Sequence, residues 1–418
     1  MKNLLPVLAI SLFFAAAACG GETGAWAGTV TDSAGVQIVN NPVEGLWTNG
    51  TQPAITEEVK IGATGGDPNY EFGQIVGIDV GSDGTIYVLD QQARQVRAFD
   101  AEGRYVRTIG KPGSGPGELS QLAFGVVVTP GDSLMVPDLG LQRVTRYGPD
   151  GQTIGSFPTP MTEGISVRWQ ARAGGQVVQQ ARIMNLPGQA TQVEPRDLLL
   201  LRNAQGELLD TLMELPGGQT LKMTGNSMSI RLFESEPVWG LGEDGSVYFA
   251  MNSDYSVEVH DGDGALQRIV RRPFERKPVT EDDKQAFMKA LRELFGRQGV
   301  PPQAVEQVLG NVQFAENYPA FANLMGGPGQ SLWVQRVRTA ADIKEGAEFD
   351  LQDSGSPEWD VYAQDGKYLG AIRLPDKFAP LRVIGDRIYG VWRDELDVQH
   401  VTRLHVDMGT QTMGESGG

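Results

Sequence analysis

The sequence predicts an all-β chain folded as a six-bladed β-propeller. Three observations predict it: abundant turn-forming residues, a four-strand phrase that recurs along the chain, and a strand count that balances only if the two chain ends share a sheet. The 418 residues include 54 Gly and 24 Pro and are 40% hydrophobic. Such a composition favours many short strands joined by tight turns.

The recurrence is plainest in IGATGGDPNYEFGQIVG (61–77) and IGKPGSGPGELSQLAFG (109–125), which share Ile-Gly, Pro, Glu, Gln and a closing Gly in one order. Each opens a longer unit. The first continues as IDVGSDGTIYVLD and QQARQVRAFDAEGRYVRTIG, the second as VVTPGDSLMVPD and LGLQRVTRYGPDGQTIGSF. Both hold four β-rich runs separated by Asp83-Gly84 or its equivalent, a polar loop, and Glu102-Gly103 matched by Asp150-Gly151. Four strands in a period of about 40–50 residues is the signature of a propeller blade.

Weaker copies follow in order. A third unit starts at Ile165, a fourth spans Pro237 to Val270, and a fifth runs through SLWVQRVR at Ser331 and WDVYAQDGKYLGAIRL at Trp359. The last, through Leu381, Arg387 and HVTRLHV ending at Val406, supplies only three strands. Conversely, EEVKIG before Gly62 has the form of a fourth strand with no first three before it. The strand at Glu58 to Ile61 therefore completes the sixth blade, and closure leaves no open sheet edge. GVQIVN at Gly35 is expected to pack outside the ring.

One region breaks the period. Thr280 suits an N-cap, with Glu281, Asp282 and Asp283 favourable at the positive helix end. Phe287, Met288, Leu291, Leu294 and Phe295 then share a helical stripe ended by Gly296 and Gly299. Pro301-Pro302 opens a second helix with Val305, Val308 and Leu309 on its apolar side. This predicts a helical-hairpin insertion (278–318) between blades four and five.

At the start, Lys2 precedes an apolar run from Leu4 to Ala18 and then Cys19, the only cysteine. This is the pattern of a secretory signal, and AAAC at 16–19 resembles a bacterial lipobox, with cleavage before a cysteine that carries diacylglycerol. Ala25-Trp26-Ala27 offers an ordinary cleavage site as the alternative. The expected organisation is a signal peptide (1–18), a lipidated tether (19–32), the propeller (33–406) and a disordered tail (407–418). The expected location is the bacterial envelope, lipid-anchored and periplasmic or on the outer surface, with secretion as the alternative.

The units resemble the six-bladed NHL-repeat family. The resemblance rests on Ile86 to Asp90, Arg94 to Gly103, Ile109-Gly110 and Gly113 to Glu118, and covers most of 58–405. Within that neighbourhood, some propellers resemble metal-dependent amidating lyases and others calcium-dependent lactonases. The first needs a histidine cluster, but the three histidines are His260, His400 and His405, the last two facing opposite sides of one strand. The second needs axial carboxylates and Asn, for which only Asp79, Glu236 and Asn323 stand near inner strands. Calcium at the axis is thus a possibility that the sequence does not support, and no catalytic residue or cofactor is identified.

Strand order puts the inter-blade connectors, the loops between second and third strands and the insertion on one face. That funnel face is the expected ligand site. It gathers Asp90, Arg94, Asp138, Arg143, Arg393 and Asp397, with Trp169 and Trp239 near inner-strand starts. Because Asp90 and Asp138 end equivalent strands and Arg94 and Arg143 begin the next, loop bracing competes with ligand binding at those positions. The tryptophans can equally pack the blades. With a formal net charge of −17, the surface repels phosphate backbones, so nucleic acid is not an expected partner. The expected function is a non-catalytic binding or scaffold propeller engaging a protein, peptide or glycan and touching membrane through its lipid alone. The alternative is a secreted metal-dependent hydrolase or lyase.

Overall fold

Each repeat unit folds as a four-stranded antiparallel sheet, and six such sheets form the ring. The computed structural model describes residues 26–47, 51–184, 193–218, 221–224, 227–297, 299–344 and 355–409. The expected signal peptide, Cys19 and most of the tail lie outside the described residues.

The innermost strands, one per blade in chain order, are Ile75–Val80, Val127–Thr129, Ile165–Ala171, Pro237–Leu241, Asn323–Gly327 and Phe378–Ile384. The weak third and fifth units are full blades, with outer strands Leu208–Pro216 and Tyr368–Arg373. Apolar residues alternate out of each sheet and meet those of the next blade. Leu89, Val96 and Ile109 of blade one pack with Leu134, Val136 and Tyr147 of blade two in one such layer.

Ring closure follows the strand deficit. Ala54–Ile61 pairs antiparallel with Gln399–Asp407 as the outer strand of blade six. The path into it differs from a plain tether. Thr29–Ser33 is a strand, so the expected tether ends short of Asp32. It forms a hairpin with Val36–Asn40, which joins the outer edge of blade four in parallel with Leu266–Arg271. Beyond it, Asn41 accepts from the Tyr368 N–H at 2.7 Å, and Leu46 and Trp47 donate to the carbonyls of Tyr368 and Leu369 on blade five. The N-terminal segment therefore covers the outer edges of blades four and five before completing blade six. At the other end the last strand includes Asp407, the first residue assigned to the tail.

The insertion folds as two helices, α1 (Glu281–Arg297) and α2 (Pro302–Leu309). Thr280 and Asp283 cap α1 reciprocally, each side chain accepting from the other's backbone N–H at 3.2 and 3.0 Å. α1 continues past Gly296, whose φ need not leave the helical region, and the chain turns at Gly299 with φ +73°. A second feature escaped the sequence reading: a hairpin, Leu221–Thr224 and Ser227–Leu232, between blades three and four. Its second strand pairs in parallel with Val312–Phe314 after α2. Ile230, Leu232 and Phe233 pack on Phe287, Leu291, Val305 and Leu309, so hairpin and helices share one small core beside the ring.

Candidate functional site

A channel of about 2220 Å³ occupies the ring axis. Inner strands begin at the connector face, where the insertion lies, and end at the opposite face, at the turns to the second strands. Leu294 and Phe295 of α1 and Asn323, the first residue of its strand, line the channel from the connector end. Asp79, Ala171 and Arg382, near the ends of theirs, line it toward the turn end.

Three inner strands skip a residue in their pairing with the second strand. Ile75 pairs with Asp90 but Gly77 with Leu89; Ser166 pairs with Ala181 but Arg168 with Gln180; Pro380 pairs with Gly390 but Arg382 with Tyr389. An extra residue at such a bulge breaks strict alternation and re-aims side chains. The skipped residues, Val76, Val167 and Leu381, all line the channel, and Val167 and Leu381 are 37% and 42% exposed within it. Arg168 and Arg382, the residues that follow two of them, line it as well.

Among the described residues, the lining carries seven basic side chains (Arg168, Arg172, Arg338, Arg373, Lys377, Arg382 and Arg393) and six acidic ones (Asp79, Asp132, Glu243, Asp342, Asp376 and Asp397). That balance contrasts with the acidic whole. Arg373 pairs with Asp376 at 2.7 Å and Arg393 with Asp397 at 3.2 Å. Arg382 sits 2.9 Å from Asp79 of blade one through Nε, while its Nη1 donates at 3.2 Å to the Ala171 carbonyl of blade three. Blades three and six are opposite in a ring of six, so this side chain crosses the axis.

Arg168 is different. It donates to the Trp239 carbonyl at 3.2 Å and to Gln170 Oε1 at 2.8 Å, and its guanidinium lies over the Trp239 ring at 4.5 Å. Among the described residues it has no carboxylate partner. Burial, reinforced by the like charge of Arg382, pushes it down to about 10, so it remains a cation at neutral pH. A desolvated cation with no counter-charge is unfavourable by itself and is a favourable place for an anion.

The sequence-predicted site residues divide into braces and lining. Asp90 is 1% exposed and accepts from the N–H groups of Gly73, Gln74 and Ala93, with Arg97 at 3.5 Å. Asp138 is equally buried and accepts from the Ser120 N–H and hydroxyl and the Leu141 N–H. Arg143 donates to the carbonyls of Ser114, Gly115 and Glu118, holding the Gly-rich connector. The expected equivalence of Arg94 with Arg143 is off by one. Arg94 corresponds to Gln142, both with positive φ (57° and 48°), and the ion pair of Asp90 is with Arg97. Trp169 and Trp239 are buried between blades, with their indole N–H groups on Ser166 and Gln180. Only Arg393 and Asp397 of the eight predicted ligand-binding positions line the channel.

The axial trio considered for calcium does not assemble. Asp79 and Asn323 stand at opposite ends of their strands, roughly 10 Å apart along the axis at ~3.3 Å per residue, and Glu236 is not part of the channel wall. The Asp79 carboxylate is held by Arg382 and by the Val128 N–H at 2.8 Å, and the Asn323 amide donates to Gln335. These residues do not fit a shared cation with ligands at about 2.3–2.6 Å. No group of three His, Cys, Asp or Glu suited to a metal occurs among the described residues.

Comparison with known proteins agrees with this fold. A family model described as a 6-bladed beta-propeller matches residues 68–162, covering blades one and two. No curated protein matches the sequence. Among solved structures, a member of the duf4221 family from Bacteroides vulgatus is 10% identical, with a TM-score of 0.52 over 85% of this chain and 98% of that one. Virginiamycin B lyase from Staphylococcus aureus is 10% identical, with a TM-score of 0.40 over 85% and 99%. A gluconolactonase from Xanthomonas campestris is 12% identical, with a TM-score of 0.41 over 80% and 87%. At these identities the likeness is one of fold: this chain is a six-bladed β-propeller.

Proposed function

We propose that this chain is a non-catalytic binding propeller of the NHL-repeat type, held in a bacterial envelope by lipid on Cys19, that receives its ligand in the axial channel. The observation that carries the reading is the lining itself. Val167 and Leu381 are exposed inside the channel, and Arg168 faces it without a counter-charge. Both are unfavourable in an isolated protein and favourable once a complementary ligand covers them.

The acidic exterior and balanced interior support recognition inside the ring rather than over its surface. A protein or peptide partner would present one end or one side chain to the funnel, and a glycan or smaller molecule would sit wholly within it. Nucleic acid does not suit a chain of this charge. No helix among the described residues is long and apolar enough to cross a membrane.

Native mass spectrometry of the full chain, extracted in detergent from its own host, tests the reading. The expected result is a species retained at one per chain and lost from the channel-filling variant Val167→Trp. Equal retention by both proteins would place binding elsewhere.

A further inference from the structure

The inner strands of blades three and six carry the same device, at the third residue of the seven in one and the fourth of the seven in the other. In each the pairing skips one apolar residue and resumes on an arginine: Val167-Arg168 and Leu381-Arg382. Because these blades face each other, the two apolar–arginine pairs approach from opposite walls. The two guanidinium groups are close enough for the charge of Arg382 to act on Arg168.

Their charges do not cancel. Asp79 neutralises one arginine, which leaves a cluster of two cations and one anion with a single uncompensated positive charge. Open donors remain. Among the described residues Arg168 Nε, Arg382 Nε and Arg382 Nη2 make no hydrogen bond to protein, although Arg382 Nε is ion-paired with Asp79, while the other positions are held by Trp239, Gln170 and Ala171. Beside this charged bar stand Val167 and Leu381, exposed to the channel.

Resting on the channel reading above, we infer that the ligand is a monocarboxylate with an apolar body. Its carboxylate sits between Arg168 and Arg382, and its body lies along Val167 and Leu381 toward the connector face. One negative charge completes the cluster, whereas a dianionic phosphate would overcompensate it beside Asp79. Guanidinium groups match the planar two-oxygen geometry of a carboxylate. Since Arg382 crosses the axis near the turn end, the body extends the other way, toward Leu294 and Phe295.

Octanoate, octanamide and octyl phosphate, each titrated by calorimetry against the full chain in lipid nanodiscs with empty nanodiscs as blank, test this. The expected order is octanoate tightest, with octanamide and octyl phosphate each about tenfold or more weaker. Arg168→Gln should weaken octanoate about tenfold and leave octanamide unchanged, with Arg168→Lys between them. Arg168 bridges two blades, so should Arg168→Gln fail to fold, the ratio of octanoate to octanamide in the unmodified protein decides alone. Octanamide binding as tightly as octanoate, octyl phosphate binding more tightly, or no octanoate binding at millimolar concentration would each overturn the assignment. If octanoate fails while Val167→Trp still sheds the host-derived species, the carboxylate falls and the channel reading stands. If Val167→Trp retains that species too, both fall.

Discussion

Arg382 of blade six donates through Nη1 to the carbonyl of Ala171 in blade three, 3.2 Å away across the ring axis. The same guanidinium lies 2.9 Å from Asp79 of blade one, whose side chain is 4% exposed. One side chain thus ties three blades at a level where their inner strands otherwise face open space.

Arg382→Met should cost about 3 kcal/mol of stability, because it leaves the buried Asp79 carboxylate with backbone donors alone. Asp79→Asn in the same chain should restore part of that loss. A denaturant double-mutant cycle measures the coupling; additive losses would show that the pair does not act as a unit.

Asp360 should dominate the acid limb of stability. Its carboxylate, 1% exposed, accepts from Tyr255, Arg272, Arg336 and Tyr368, and so joins blades four and five. Burial acts to raise its affinity for protons, but the hydrogen bond and charge of Arg336, with Arg272 and Tyr255, prevail and hold it below the usual carboxylate range. A depressed folded value means stability that is fully present above the unfolded value of about 4 and lost as pH falls through the lower folded one. Asp360→Asn should therefore lower stability by about 3 kcal/mol at pH 7. That deficit should shrink below about pH 4, as thermal melts of both proteins across pH would show.

The insertion should behave as a satellite of the ring. Phe287 is fully buried against Phe233 and Tyr318, with ring centroids 4.6 Å from the first. Phe287→Ala should remove about 3–4 kcal/mol from that small core. Hydrogen exchange should quicken in α1 and Ser227–Leu232 and stay unchanged in blades one and two. Faster exchange throughout would mean the insertion core is continuous with the ring.

Removing the N-terminus in two steps should separate the outer cover from closure. A chain beginning at 51 keeps Ala54–Ile61 and should melt cooperatively at lower temperature, having lost the cover on blades four and five. A chain beginning at 63 leaves Gln399–Asp407 as an open edge and should aggregate. Size-exclusion chromatography and thermal melts distinguish the two.

Cys19→Ala should move the protein from the membrane to the soluble fraction of its host. An unchanged membrane fraction would locate the anchor elsewhere.

The sequence by itself determined the architecture. Turn pairs such as Asp83-Gly84 and alternating runs such as IYVLD are local signals, read without knowing what they touch. The one-strand deficit of the unit ending at Val406 named its partner at Glu58 through counting alone. The same locality explains why Asp90 and Asp138 were visible as candidates: repetition marks residues that every blade needs, and these turned out to brace loops. What the tertiary structure decided is the channel. SVRW and PLRV read as ordinary alternation, and only a slip in register against the second strand turns Val167 and Leu381 to the axis. Only ring closure brings Arg168 and Arg382, more than two hundred residues apart, to opposite walls of one cavity. The signal was present as an apolar–arginine pair in the first strands of units three and six. Its meaning depended on a bulge and a distance, and neither is written in local propensity.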